Sequence, residues 1–203
     1  MVSRSSPVER RSPHGAVLGG VVAGALALLA PLTGANAFEL VSVSSERDGP
    51  AYVLRSEAGF GAVSPERLLA VLTDYEHIHE LHPQILESRS LGTVGPATEE
   101  VFSRFRGCVL FLCRTLNRVE HIRRDGTTLV AEDVPGRGAF SDGHTEWRFT
   151  PEGQGARLHY TARFVPAFSV APVFGPSMLA RSLERMTLET MAEAHRRALL
   201  ADD

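Results

Sequence analysis

The 203-residue sequence contains no lysine: all 21 of its Lys+Arg positions are arginine. Lysine Schiff-base chemistry, a P-loop lysine and a lysine general base are thereby excluded. Cysteine is scarce. The two present cannot build a four-cysteine zinc site or a disulfide-rich miniprotein. A formal net charge of −3 excludes a strongly basic nucleic-acid binder. The sequence shows no nucleophile elbow, no Gly-rich phosphate loop and no catalytic-triad spacing. With 43% hydrophobic and 22% charged residues, 18 Gly and 12 Pro, the chain is neither collagen-like nor coiled-coil nor wholly disordered.

The N-terminus reads as a targeting segment. Arg4, Arg10 and Arg11 precede an uncharged run from Ala16 to Ala30, broken by Pro31 and Gly34 and followed by Ala35-Asn36-Ala37. A basic start, a short apolar run and a small-x-small end together predict a secretory signal peptide over 1–37. The run falls short of the roughly 20 residues needed to span a bilayer. Arg10-Arg11 is followed by Ser12-Pro13-His14, which is not the apolar continuation of a twin-arginine signal. The expectation is a mature chain 38–203, periplasmic or secreted and monomeric, large enough to bury one core unaided.

Within 38–203, residues Ala51 to Gly61 look extended. Ser64-Pro65-Glu66 is a helix start, with Ser as cap, Pro in the first turn and an acid beside it. Leu68, Leu69, Val71 and Leu72 give that helix an apolar face, and Tyr75–His82 reads as a second short helix ended by Pro83. Strands follow: Ile85–Val94, Glu99–Arg106, Cys113–Arg123, Thr127–Val134, His144–Thr150 and Ala156–Val165. Asp125-Gly126 marks a hairpin turn. In the last strand Leu158, Tyr160, Ala162 and Phe164 alternate with Arg157, His159, Thr161 and Arg163, so one face is interior and the other wet. From Gly175-Pro176 a long helix runs to Leu200. Its stripe is Leu179, Leu183, Met186, Thr190, Ala194 and Ala198, with Arg185–Glu189 and Glu193–Arg197 pairs on the outer face. An antiparallel sheet of this length must cover one face, and a single helix does so only if the sheet curls around it.

Four stretches resemble the START/Bet v 1-like superfamily, also called SRPBCC, in its polyketide cyclase/dehydrase and coenzyme-Q-binding form. They are Ser64-Pro65 to Asp74-Tyr75 with Pro83; Gly138-Ala139-Phe140 with Trp147-Arg148-Phe149; Gly155 to Tyr160, with Ala156 where Thr is usual; and the Pro-rich lead from Phe168 into the long helix. The resemblance covers nearly all of 50–200, and its motifs are structural rather than catalytic. It implies an α+β helix-grip fold: a curved antiparallel sheet around a long C-terminal helix, with two short helices after the first strand and a deep apolar cavity. Members bind lipids, sterols, quinones and polyketides, and some are enzymes.

Strand and helix parity turn Trp147, Phe149, Leu158, Tyr160, Phe164, Leu179, Leu183 and Met186 inward, as core packing or as walls of the cavity that the resemblance implies. The implied partner is a hydrophobic small molecule, either carried or acted on by a cyclase/dehydratase; neither a cofactor nor a metal is expected. Candidates for polar chemistry are Glu120, Glu132, His144, Tyr160 and Arg118, yet parity brings no acid–base pair together, since His144 faces out if Trp147 faces in. His77, His79 and His82 could ligate zinc only on an irregular helix; a solvated face is the expectation. Cys108 and Cys113 read as a disulfide at a hairpin tip, with a redox pair or buried thiols as the alternatives. Between them Val109, Leu110, Phe111 and Leu112 form an apolar tip, flanked by Arg106 and Arg114. That tip either makes transient membrane contact or packs on the connector that follows the last strand.

Overall fold

The computed structural model describes residues 37–109, 112–169 and 175–201, without side-chain detail at 109, 112, 175–177, 179 and 180. Its elements are β1 (Phe38–Asp48), β2 (Ala51–Phe60), α1 (Pro65–Leu72), a 3-10 helix (Ile78–Leu81), β3 (Ile85–Gly95), β4 (Thr98–Val109), β5 (Leu112–Asp125), β6 (Thr128–Asp133), β7 (Phe140–Glu152), β8 (Gly155–Pro166) and α2 (Gly175–Leu200). All eight strands form one antiparallel sheet in the order β1-β2-β8-β7-β6-β5-β4-β3. The run β3 to β8 is a meander. β2 joins its far edge by pairing with β8, and β1 lies outside β2.

Local chemistry accounts for the element ends. Ser64 Oγ accepts the Arg67 N–H, Pro65 begins α1 and Glu66 sits in the first turn. Thr73 closes it, its N–H and hydroxyl both donating to Leu69 O. Gly126 turns the β5–β6 hairpin at φ +58°, a conformation that costs a side-chain-bearing residue more than glycine.

Two expectations about the entry to the sheet need correction. The sheet starts with β1, which parity could not reveal: its residues are mostly exposed, without a buried alternate face. The two short helices therefore follow a hairpin rather than a first single strand, and the second is one turn of 3-10.

α2 lies across the sheet and is held at both sides. Ser45 of β1 donates to Glu184, and His82, just before β3, meets Glu189 at 2.8 Å. The Arg185–Glu189 pair expected from spacing is thus replaced by a contact to His82, which is 5% exposed. Glu193–Arg197 forms as expected at 3.0 Å, and Arg197 also reaches Glu80 at 2.6 Å. Near the helix C-terminus His195 Nε2 donates to Gly61 O at 3.0 Å.

Side-chain size along α2 decides where the interior is solid. Ala194 and Ala198 are fully buried, so that half approaches α1 and β2 closely. Phe60, Leu68, Leu69, Phe149, Leu158 and Met191 fill the space there, each large side chain contributing roughly 1.5–3 kcal/mol on burial. A second cluster of Tyr52, Phe140 and Phe164, with Phe105 and Leu183 against it, stands towards the other end. The candidate site lies between the two.

Candidate functional site

A cavity of about 260 Å³ separates the sheet from α2. Its walls are largely apolar: Ile122, Leu129, Trp147 and Phe164 from the sheet, Leu72, Ile78 and Leu81 from the helical segment, and Leu183, Met186 and Met191 from α2. Of the residues expected from sequence, Trp147, Tyr160, Phe164, Leu183 and Met186 line it. Phe149 and Leu158 do not. They point inwards as parity requires, but α1 lies over their end of the sheet, and both are fully buried against Leu68 and Leu69. The side chain of Leu179 lies outside the described residues.

Met186 follows Leu183 on the cavity face of α2. Met186→Trp should weaken uptake of an apolar dye such as Nile red by about tenfold, with melting within a few degrees of wild type. Fluorescence titration checks this, and unchanged uptake moves the bound molecule elsewhere.

One corner of the cavity is charged. On β5 the inward positions run Leu116, Arg118, Glu120 and Ile122, and Glu120 is paired in register with Asp133 of β6. Arg118 Nε donates to Asp133 Oδ1 at 2.7 Å and Nη2 to Oδ2 at 3.1 Å. The third guanidinium nitrogen, Nη1, stands 3.0 Å from Glu120 Oε1, at an angle that makes it an ion-pair contact and leaves Oε1 without a hydrogen bond. Side-chain exposures of 18% for Arg118, 10% for Glu120 and 3% for Asp133 place the whole group out of bulk water. Arg118 also sits over the Phe140 ring at 5.3 Å. Gly143 makes room for this group: a Cβ there would stand 1.7 Å from Asp133 Oδ2.

Tyr160 faces the same cavity, 5.6 Å from the Trp147 ring, with Thr187 of α2 also in the wall. Burial pushes its phenol up to about 12, with Arg118 lowering and Glu120 raising it. Tyr75, also in the wall, is raised to about 12 by burial and by Glu99 and Glu120. Both phenols are therefore neutral donors near neutral pH. Burial outweighs the nearby Arg118 and holds the Glu120 carboxyl above its ordinary range, helped by Asp133. Burial acts against the charge of Arg118, but the carboxylates of Glu120 and Asp133 outweigh it and keep the cation.

A stability prediction follows from Glu120. Above the ordinary value of 4.5 the unfolded chain has released this proton while the folded chain still holds it. Stability is therefore full below that pH and falls as pH rises through the folded value. Urea denaturation should show wild type losing ground to Glu120→Gln as pH rises from 4.5. A difference that does not vary with pH contradicts the shift. Glu193 acts oppositely: hydrogen bonds from Arg196 and Arg197 lower it to about 2, so its contribution disappears only as pH falls towards that value.

The other sequence candidates scatter. His144 and Glu132 are exposed on the outer sheet face, 3.8 Å apart. His77 pairs with Asp74 in the open. His82, expected on a solvated face, is buried, its Nδ1 accepting the Gln84 N–H. The three histidines do not converge, and no group that could hold a metal ion occurs among the described residues. Cys108 and Cys113 are disulfide-bonded. Leu110 and Phe111 of the apolar tip lie outside the described residues, as do the side chains of Val109 and Leu112. Beside the tip, Cys108 O accepts from Ser182 of α2 at 3.0 Å, and Arg114 lies 4.6 Å over the Phe168 ring. Asp133 was not anticipated; its place opposite Glu120 is set by the register of β5 and β6.

A sheet gripping a C-terminal helix around an apolar cavity with a charged corner defines a helix-grip protein built to enclose a hydrophobic small molecule. The profile of the family described as polyketide cyclase / dehydrase and lipid transport matches residues 61–198, and the chain belongs to that family, within the SRPBCC/START-like superfamily. No curated protein matches the sequence. Among solved structures, a protein from Thermus thermophilus aligns at TM-score 0.61 and 18% identity, covering 74% of this chain and 99% of its own. The Zhui aromatase/cyclase from Streptomyces sp. R1128 aligns at 0.60 and 14%, covering 75% and 96%. A STAR-related lipid transfer protein from Xanthomonas axonopodis aligns at 0.59 and 16%, covering 80% and 98%. At such identities the likeness is one of fold.

Proposed function

We propose that this chain is an enzyme of the cyclase/dehydratase kind, acting on a polyketide-like molecule held in the cavity. The observation that carries the reading is the convergence of Glu120, Arg118 and Tyr160 on one apolar chamber. Glu120 is a buried carboxyl whose hold on its proton is strengthened by burial, beside a permanent cation and a neutral phenol. A carbonyl oxygen placed there accepts the Glu120 proton as the enol carbon of the same molecule attacks the carbonyl carbon. The Glu120 carboxylate so formed takes the enol O–H proton as that oxygen becomes a carbonyl, restoring the acid. In dehydration the same acid protonates the departing hydroxyl, which leaves as water. The carboxylate so formed takes the α-proton as the C=C bond forms, restoring the acid. Arg118 Nη1 can donate a hydrogen bond to the reacting oxygen in either step and orient it towards Glu120. The aromatase/cyclase among the structural neighbours supports this class of chemistry by analogy of fold.

Carriage without chemistry is the second reading, favoured by the mainly apolar lining and by the lipid transfer protein of the same fold. Incubation of the full chain with a synthetic poly-β-ketone, followed by mass spectrometry, separates the two. Loss of water or ring closure above the buffer control supports the enzyme. Stoichiometric binding with no product overturns it in favour of carriage.

Export belongs to the same reading, with cleavage after Ala37. The Cys108–Cys113 bond supports it, because such bonds persist in oxidising compartments. Protein recovered from the exported fraction should have an intact mass beginning at Phe38. Soluble exported material that retains residues 1–37 contradicts the assignment.

A further inference from the structure

A lone guanidinium in an apolar cavity is a ready receptor for a carboxylate, because its planar fork donates two parallel charge-assisted hydrogen bonds. In this cavity that edge is already taken. Asp133 receives Nε and Nη2 of Arg118 at 2.7 and 3.1 Å, and its own side chain is 3% exposed. The backbone is fitted to this arrangement at Gly143, where a Cβ would stand 1.7 Å from Asp133 Oδ2. Arg118 and Glu120 both line the chamber; Nη1 stands 3.0 Å from Glu120 Oε1, an oxygen that is itself buried and has no hydrogen-bond partner.

An anionic head group entering here meets a cation already neutralised by one carboxylate and faced by a second carboxyl. It loses its hydration and gains no unpaired positive charge in return. A ketone, ester or quinone oxygen adds no charge and can accept from Nη1 or from the Glu120 carboxyl. Building on the proposed binding of a polyketide-like molecule, we infer that the cavity selects apolar molecules whose polar end is an uncharged carbonyl, rejects fatty carboxylates, and owes this selection to Asp133.

The test is competition against bound Nile red on the full chain at neutral pH, with two probes of matched size, 2-tridecanone and dodecanoate. The wild type should bind the ketone at least about tenfold more tightly than the carboxylate. Asp133→Asn is nearly isosteric and releases the charge of Arg118; it should shift the ratio towards dodecanoate by about tenfold or more. Equal or tighter binding of dodecanoate by the wild type overturns the inference, as does an unchanged ratio in folded D133N. The wild-type ratio decides the matter alone should D133N not fold. Displacement by neither probe defeats this inference together with the binding reading beneath it. A correct ratio in a chain without turnover leaves the inference standing and removes only the catalytic reading.

Discussion

Arg118→Met should destabilise the protein by about 3–5 kcal/mol, the usual cost of removing one partner from a buried ion pair. Methionine fills most of the space and keeps apolar contact with Phe140, so the loss is electrostatic rather than a cavity. Two carboxyl groups are left behind. Glu120, whose carboxyl burial already raises, is favoured towards its neutral form once the guanidinium is gone. Asp133, 3% exposed and stripped of both guanidinium bonds, is left with no partner for its buried carboxylate. For a chain of this size each kcal/mol lowers the melting temperature by about 2–4 °C, which puts the expected drop at about 10 °C. The origin of the loss is checked by Arg118→Met with Asp133→Asn. Once both charges are gone, much of the stability should return, because replacing a whole buried pair is far less costly than orphaning half of it. Thermal melts of the two variants decide this. A single variant within about 2 °C of wild type, or a double variant no better than the single, removes the ion pair from the account of stability.

Much of the fold was legible because a strand with one wet face writes its parity into the sequence. In β8 the inward set Leu158, Tyr160, Ala162 and Phe164 is buried or half-buried, and Arg157, His159, Thr161 and Arg163 look outward. Asp125-Gly126 gave the β5–β6 turn, and the Gly175–Leu200 helix has the bounds its stripe suggested. Parity says which face a residue takes but not what lies above that face. Phe149 and Trp147 share a face of β7, yet α1 covers one and the cavity opens over the other. β1 was invisible for a related reason: at a sheet edge, with most side chains exposed, it has no alternation to read.

The site was the least legible part. Arg118 and Glu120 were singled out for their chemistry, but their environment is set by Asp133, which pairs with Glu120 across two strands. Register between strands is a tertiary property, fixed here by the length of the Asp125-Gly126 turn. Counting back from that turn does align Glu120 with Asp133. The pairing is thus implied once the turn is trusted, although no single-strand pattern displays it. His82 escaped in the same way: a histidine in a polar stretch looks solvated until Glu189, far along the chain, closes over it.

Glu120→Gln should lower turnover of a poly-β-ketone by about 10²–10⁴-fold, the range that a positioned general acid contributes, while leaving binding of the same molecule within a few-fold of wild type. The amide keeps the shape of the carboxyl and can still donate a hydrogen bond to a carbonyl oxygen, so the ground state changes little. It cannot release a proton to that oxygen and then recover one from the substrate, so the loss falls on kcat rather than KM. The sign of the pH dependence is also fixed. Glu120 acts first as an acid, and burial raises its carboxyl above the ordinary 4.5; wild-type kcat should therefore fall as pH rises through the folded value. The residual rate of E120Q should lack that limb. Tyr160→Phe is the companion measurement. Its phenol, raised to about 12, is a neutral donor that orients the substrate without exchanging a proton, so its loss should be smaller and should leave the pH limb in place. Single-turnover kinetics of the three proteins across the pH range read all of these outcomes. An E120Q rate matching wild type assigns the acid elsewhere, and a pH limb that vanishes with Tyr160 rather than with Glu120 exchanges their roles.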